Sequence, residues 1–243
     1  MPNIKRQIII LFGPPGAGKG TQAELLADKL SLFYFETSKI LEEKFRMAES
    51  RSSGTDSPER IIKVEGKDYD IINEKNLWKE GKLCSPPFVT RLVEEKIKKV
   101  FEEGQNIVIA GSPRTLYEAE RITPLLKDLY GKENIKVILI DISAEQTVFR
   151  NSHRRICELM RHPILWDKET ENLTICPLDG SKLIKREGLD DPESIKVRLK
   201  EYEARTFPVF EYFGKEGIAV RKIKGEQSVA NVFANILQIL NIK

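Results

Sequence analysis

Cysteine is scarce in this chain, with three residues among 243, too few for the disulfide framework of a small secreted fold. Excess charge of one sign is equally lacking: 40 Lys+Arg stand against 37 Asp+Glu, a net of +3, with no long block of either sign. That balance argues against nucleic acid or a membrane surface as a partner. Long apolar runs are missing too. The N-terminal "IIILF" breaks at once into a glycine loop, too short for a signal peptide or a membrane span. Repeats and low-complexity tracts do not occur. A cytoplasmic protein folding as one large α/β unit is the expectation for a chain of this length.

Apolar runs with β-branched residues recur at 7–12 ("QIIILF"), 106–110 ("NIVIA"), 136–142 ("KVILIDI") and 218–223 ("IAVRKI"). Their continuity predicts strands buried on both faces of a parallel sheet. Between them lie helical periods: Ala23, Leu26, Ala27 and Leu30; then Val89, Leu92, Val93, Ile97 and Val100; then Val229, Val232, Phe233, Ile236, Leu237 and Leu240. Strand–helix alternation predicts a wound sheet flanked by helices. Two segments break the rhythm, roughly 37–84 and 153–190, and both are expected as inserts over the carboxyl edge of the sheet, where open α/β sheets bind ligands. Within the first, the polar "ESRSSGTDSPER" (49–60) has turn formers and no period, and reads as an excursion rather than a core element.

Between the first strand and the first helix stands "GPPGAGKGTQ", with the G-x-x-x-x-G-K spacing at Gly13, Gly18 and Lys19 and a hydroxyl at Thr21. Glycines let successive backbone N–H groups turn toward phosphate oxygens, the lysine reaches the β/γ-phosphates, and the hydroxyl contributes to magnesium. The following helix adds its positive end.

The full run resembles the P-loop of the adenylate kinase family of nucleoside monophosphate kinases, and later segments agree with that family in order. "TSKILEEK" (37–44) is similar to its acceptor segment T-G-D-x-L-R, and "GKLCSPPFV" (81–89) to G-K-L-V-x-x-x-x-V. "AGSPRTLYEAE" (110–120) corresponds to D-G-F-P-R-T-x-x-Q-A, "FRNSHRRIC" (149–157) to a segment with two binding arginines, and "DDPESIKVRL" (190–199) to D-D-x-x-E-x-x-x-x-R-L. The resemblance implies a P-loop NTPase-type core over 1–36, 85–152 and 191–243, an insert at 37–84 binding the nucleoside monophosphate, and a lid at 153–190. It also implies ATP with magnesium as donor, a nucleoside monophosphate as acceptor, and a monomer.

Phosphoryl transfer requires charge dispersal over the transferring group, so cations converging from several segments suit the chemistry. By resemblance, Lys19, Arg114, Arg150, Arg154 and Arg198 are the catalytic set, with Arg186 a fifth arginine of looser alignment. ATP is assigned to Gly13, Pro15, Gly16, Ala17, Gly18, Lys19, Gly20, Thr21, Arg150 and Gln227, with Arg150 stacking on adenine. The acceptor is assigned to Thr37, Leu41, Arg46, Gly111, Arg114 and Glu118.

Several family positions differ. Ser38, Lys39 and Glu42 stand where Gly, Asp and Arg are usual, and Arg46, one turn beyond Glu42, is the candidate for the displaced charge. Ala110 replaces the Asp that orders the water shell of magnesium. Glu118 replaces the adenine-reading Gln; an ionised carboxylate only accepts, which suits the paired donors of guanine. In the lid, the family's C-x-x-C…C-x-x-[CD] reads Cys157-x-x-Met160 and Cys176-x-x-Asp179, with His162 a candidate fourth ligand. A closed zinc site needs four good ligands and thioether is a poor one, so a lid held by packing and hydrogen bonds is the expectation and no metal set is assigned. Adenylate kinase is the leading reading. A kinase for another monophosphate such as GMP, and a catalytically weakened nucleotide-binding relative, are the alternatives.

Overall fold

The structure, a computed structural model, describes residues 6–50, 60–186 and 190–242. Most of the polar excursion at 49–60 lies outside them. Five parallel strands form the central sheet: β1 (Ile8–Phe12), β2 (Phe33–Glu36), β5 (Ile107–Ala110), β6 (Ile135–Asp141) and β10 (Val220–Lys224), in the order β10-β6-β1-β5-β2. Every residue of β1 and β5 is buried, as continuous apolar runs in central parallel strands require. Alternation then sorts the side chains. Ile8, Ile10 and Phe12 face one core layer with Val93, Ile122 and Phe213, while Ile9 and Leu11 face the other with Leu26, Val232 and Ile236. The first layer is covered by α4 (Pro86–Glu102), α5 (Leu116–Tyr130) and α8 (Phe207–Lys215), the second by α1 (Lys19–Leu30) and α9 (Val229–Leu240).

The segment after β2 is α2 (Thr37–Ser50), the hairpin β3 (Ile61–Val64) and β4 (Lys67–Asp70), and α3 (Ile71–Lys79). Leu41, Phe45 and Ala48 recur at helical spacing along α2 and enter the first core layer together with Ile71. This segment is therefore packed on the core at its base. After α6 (Ala144–Ser152), the short strands β7 (Arg155–Cys157), β8 (Pro163–Ile164) and β9 (Leu183–Ile184) make an antiparallel sheet in the order β8-β7-β9. α7 (Pro192–Glu201) continues through one π-helical stretch, Tyr202–Thr206, into α8. Among the described residues, no helix is long and apolar enough to cross a membrane.

Candidate active site

A cavity of about 380 Å³ opens at the carboxyl edge of the sheet, between the β1–α1 loop, α2, the β5–α5 loop and the segment after α6. Its floor is the glycine loop. Gly13 lies so close to β6 that a Cβ there would sit 2.4 Å from the Ile140 carbonyl oxygen, so only glycine lets the loop leave β1 at this angle. Gly18 has φ 90° and ends the loop as the N-cap of α1 with no side-chain cap bond. The first N–H groups of α1 are thus open to an anion in the cavity. Lys19 Nζ donates to the carbonyls of Gly13 at 2.6 Å and Pro14 at 3.0 Å. Pro15, Gly16, Gly20 and Thr21 line the same floor, whereas Ala17 is turned into the core.

Over this floor stand Arg114 after β5, Arg154 after α6, Arg186 after β9 and Arg198 on α7, all lining the cavity. Loss of solvent, then repulsion from Arg186, Arg154 and Arg114, pushes Arg198 down to about 9, with Asp190 opposing. Loss of solvent and Arg186 push Arg154 down to about 10, again against Asp190. Lys19 is held well below the ordinary lysine range by the same desolvation and by all four arginines. Cations crowded until each lowers the others' affinity for protons describe a site shaped for a multiply charged anion. One buried carboxylate organises them: Asp190 accepts from Arg186 Nη2 at 2.6 Å and Nε at 3.0 Å, and lies 3.7 Å from Arg154 Nη1. The sequence reading quoted Asp190 within a motif and gave it no role.

Arg150 spans two loops, with Nη2 donating to the Gly225 carbonyl at 2.9 Å and Nη1 to Gly16 at 3.4 Å. Gln227, in the same β10–α9 loop, donates to the Lys224 carbonyl at 2.7 Å. Both adjoin the glycine loop's outer side rather than the cavity lining.

On the acceptor side the structure redistributes the expected residues. Gly111 and Arg114 line the cavity. Thr37 and Leu41 do not: they lie on the core face of α2 and are buried. The opposite face presents Ser38, Lys39 and Glu42 to the cavity. Arg46 is exposed one turn beyond the last of these and outside the lining, so it does not stand in for the arginine missing at 42.

Glu118 is likewise corrected. It is 3% exposed, with Oε2 accepting from the Ser112 hydroxyl at 2.9 Å and the Arg114 N–H at 3.1 Å, and Oε1 accepting from the Thr115 hydroxyl at 3.1 Å. Its own N–H donates to Thr115 Oγ1. This is the reciprocal arrangement of a helix capping box, whose T-x-x-E signature is present in "TLYE". A carboxylate so engaged orients the loop carrying Arg114 and has no oxygen directed at a base.

In the lid, one ligand atom each from Cys157, His162, Cys176 and Asp179 all lie within 4.8 Å of one another. Met160 is 63% exposed and takes no part. The left-handed turn at Arg161, φ 58°, brings His162 back over Cys157: its N–H donates to Cys157 Sγ at 3.1 Å and its Nδ1 lies 3.5 Å from the same sulfur. Two thiols, an imidazole and a carboxylate form a donor set that suits a tetrahedral zinc ion.

Residues 11–218 match the family model described as adenylate kinase. The adenylate kinase of Petrotoga mobilis is 33% identical over 236 residues, 96% of each chain. That of Caldicellulosiruptor bescii is 30% identical over 239 residues, covering 97% of this chain and 99% of its own. That of Chloroherpeton thalassium is 32% identical over 235 residues, covering 96% and 97%. A glycine cradle between a central strand and its helix, arginines converging over it, and similarity running nearly end to end lead to one assignment: the chain belongs to the adenylate kinase family.

Proposed function

We propose that the protein phosphorylates AMP with ATP, giving two ADP, by in-line transfer in the cavity at the sheet's carboxyl edge. The observation that carries this reading is the convergence of Lys19, Arg114, Arg154, Arg186 and Arg198 on one cavity. A nucleotide binder without chemistry has no need of so many cations around one point, and they are otherwise costly to keep together. In this reading the loop from Gly13 to Thr21 holds the donor phosphates through backbone N–H groups and Lys19. Arg114 fixes the acceptor phosphate. Arg154, Arg186 and Arg198 bear on the transferred group, with Asp190 holding Arg154 and Arg186 in position, while Arg150 and Gln227 border the donor base. Magnesium bound with ATP would neutralise charge on the phosphates, and hard oxygen donors such as the Thr21 hydroxyl suit it.

Initial rates of ADP formation from ATP with AMP, GMP, CMP and UMP test the acceptor. AMP is expected to lead, because the carboxylate that would have favoured guanine is spent on the helix cap. Glu118→Gln is expected to leave the ranking unchanged and to cost about 1 kcal/mol of stability through weakened hydrogen bonds. A shift toward AMP on that substitution would restore Glu118 to base recognition.

In place of the metal-free lid expected from the sequence, the proposal includes one zinc ion held by Cys157, His162, Cys176 and Asp179. The support is the meeting of four ligand atoms despite the loss of a cysteine at 160. Protein purified without chelators should carry about one zinc per chain, and Cys176→Ala should lose it together with much of the lid's thermal stability, since binding energy at such sites is folding energy. Metal-free protein with an equally stable lid would refute it.

A further inference from the structure

The residue that ends β5 is Ala110, and it gives the cavity no carboxylate. Its register partner on the neighbouring strand is Glu36, the last residue of β2. Register partners in a parallel sheet point to the same side, and neighbouring strands are about 4.8 Å apart. Glu36 therefore stands beside Ala110 on the α1 side of the sheet, one strand further out, with a side chain one methylene longer than aspartate.

Its surroundings tie it to the donor loop. Tyr34, two residues earlier on the same strand face, is hydrogen-bonded to Glu36, and its hydroxyl is 3.1 Å from where a Cβ on Gly20 would lie. Gly20 precedes Thr21, so the chain Glu36–Tyr34–Gly20 leads to the hydroxyl expected at the metal. Glu36 itself accepts from the Ser38 hydroxyl at 2.7 Å and pairs with Lys39 Nζ at 3.3 Å. Both partners stand at altered family positions. The Lys39 side chain is 62% exposed, so its ammonium is free to swing into water when another cation arrives. Glu24 and Glu42 also line the cavity, but from helices rather than the sheet edge. The surrounding protein pushes both carboxyls up, toward the protonated form that holds no metal-bound water.

We propose that Glu36 replaces the strand-end carboxylate missing at 110 and anchors the water shell of ATP-bound magnesium from the adjacent strand, with Lys39 as its counter-ion when no metal is present. The proposal rests on the kinase reading above. It explains how a member of this family with alanine at 110 keeps a metal-dependent donor site: the carboxylate is moved one strand along the same edge.

The test is Mn²⁺ binding to the protein–ATP complex without acceptor, followed by the electron paramagnetic resonance signal of free Mn²⁺. Outer-shell partners of a metal are worth 10–100-fold in affinity, so Glu36→Gln is expected to weaken Mn²⁺ binding about tenfold. ATP affinity measured without metal should hold, and Glu24→Gln should leave Mn²⁺ affinity unchanged. Adding Ala110→Asp to Glu36→Gln should restore it. Should Glu36→Gln fail to fold, Ala110→Asp in the otherwise natural chain decides: less than a twofold gain supports an anchor already present, and a tenfold gain overturns it. Unchanged Mn²⁺ affinity in folded Glu36→Gln also overturns it. If the natural chain binds no ATP without metal, the kinase reading fails instead.

Discussion

Lys19→Ala is expected to lower kcat by about a thousandfold while the fold survives, the scale seen when one preorganised charge is removed from a transition state. In the empty protein its ammonium is satisfied by the Gly13 and Pro14 carbonyls and held well below its usual proton affinity by desolvation and four arginines. Phosphate oxygens are better partners than those carbonyls, and they gain most charge as the phosphoryl group transfers. The lysine thus stabilises the transition state far more than it stabilises the folded chain. Its removal also relieves repulsion, so the variant should melt no lower than the parent. A coupled assay of ADP formation and a circular dichroism melt check the two halves. Near-normal turnover in a folded variant would remove Lys19 from the chemistry.

The glycine loop was legible in the sequence because local chemistry dictates it: a β-branched run, glycines, then a helical period leave few other arrangements. β2 was not legible. "FYFE" is four residues long, and it is packed between α1 and α2, with the left-handed Ser31 (φ 52°) instead of a glycine closing the helix before it. Without that strand Glu36 had no address, and the carboxylate beside Ala110 went unseen. Helical spacing was right for Arg46 relative to Glu42, but periodicity does not say where a helix passes beyond the rim of a cavity. At Glu118 the capping signature was present in the sequence, and its simpler structural role outweighs base recognition once both oxygens are traced. His162 was recognised as a candidate ligand. What sequence spacing did not convey is the left-handed turn at Arg161 that lets it occupy the place lost at Met160.

Arg198→Met is expected to separate stability from activity in the opposite direction from most buried substitutions. Methionine keeps an aliphatic stem where Arg198 Cγ faces Gly81, at 3.3 Å from where a Cβ would lie, so packing is largely retained. What disappears is a cation whose proton affinity is already depressed to about 9, first by desolvation and then by Arg186, Arg154 and Arg114. Relief of that repulsion should raise the melting temperature of the ligand-free protein by about 2–4 °C, the shift produced by ~1 kcal/mol in a chain of this size. Turnover should nevertheless fall by about a hundredfold or more, because the same charge is needed where negative charge develops in the transition state. Stored repulsion of this kind is a common form of the trade between stability and function. Inorganic tripolyphosphate supplies a third measurement. It should stabilise the parent more than the variant, since the parent offers it one more cation. If Arg198→Met melts lower than the parent and tripolyphosphate protects both equally, the arginines are a structural network and not a site held ready for phosphate.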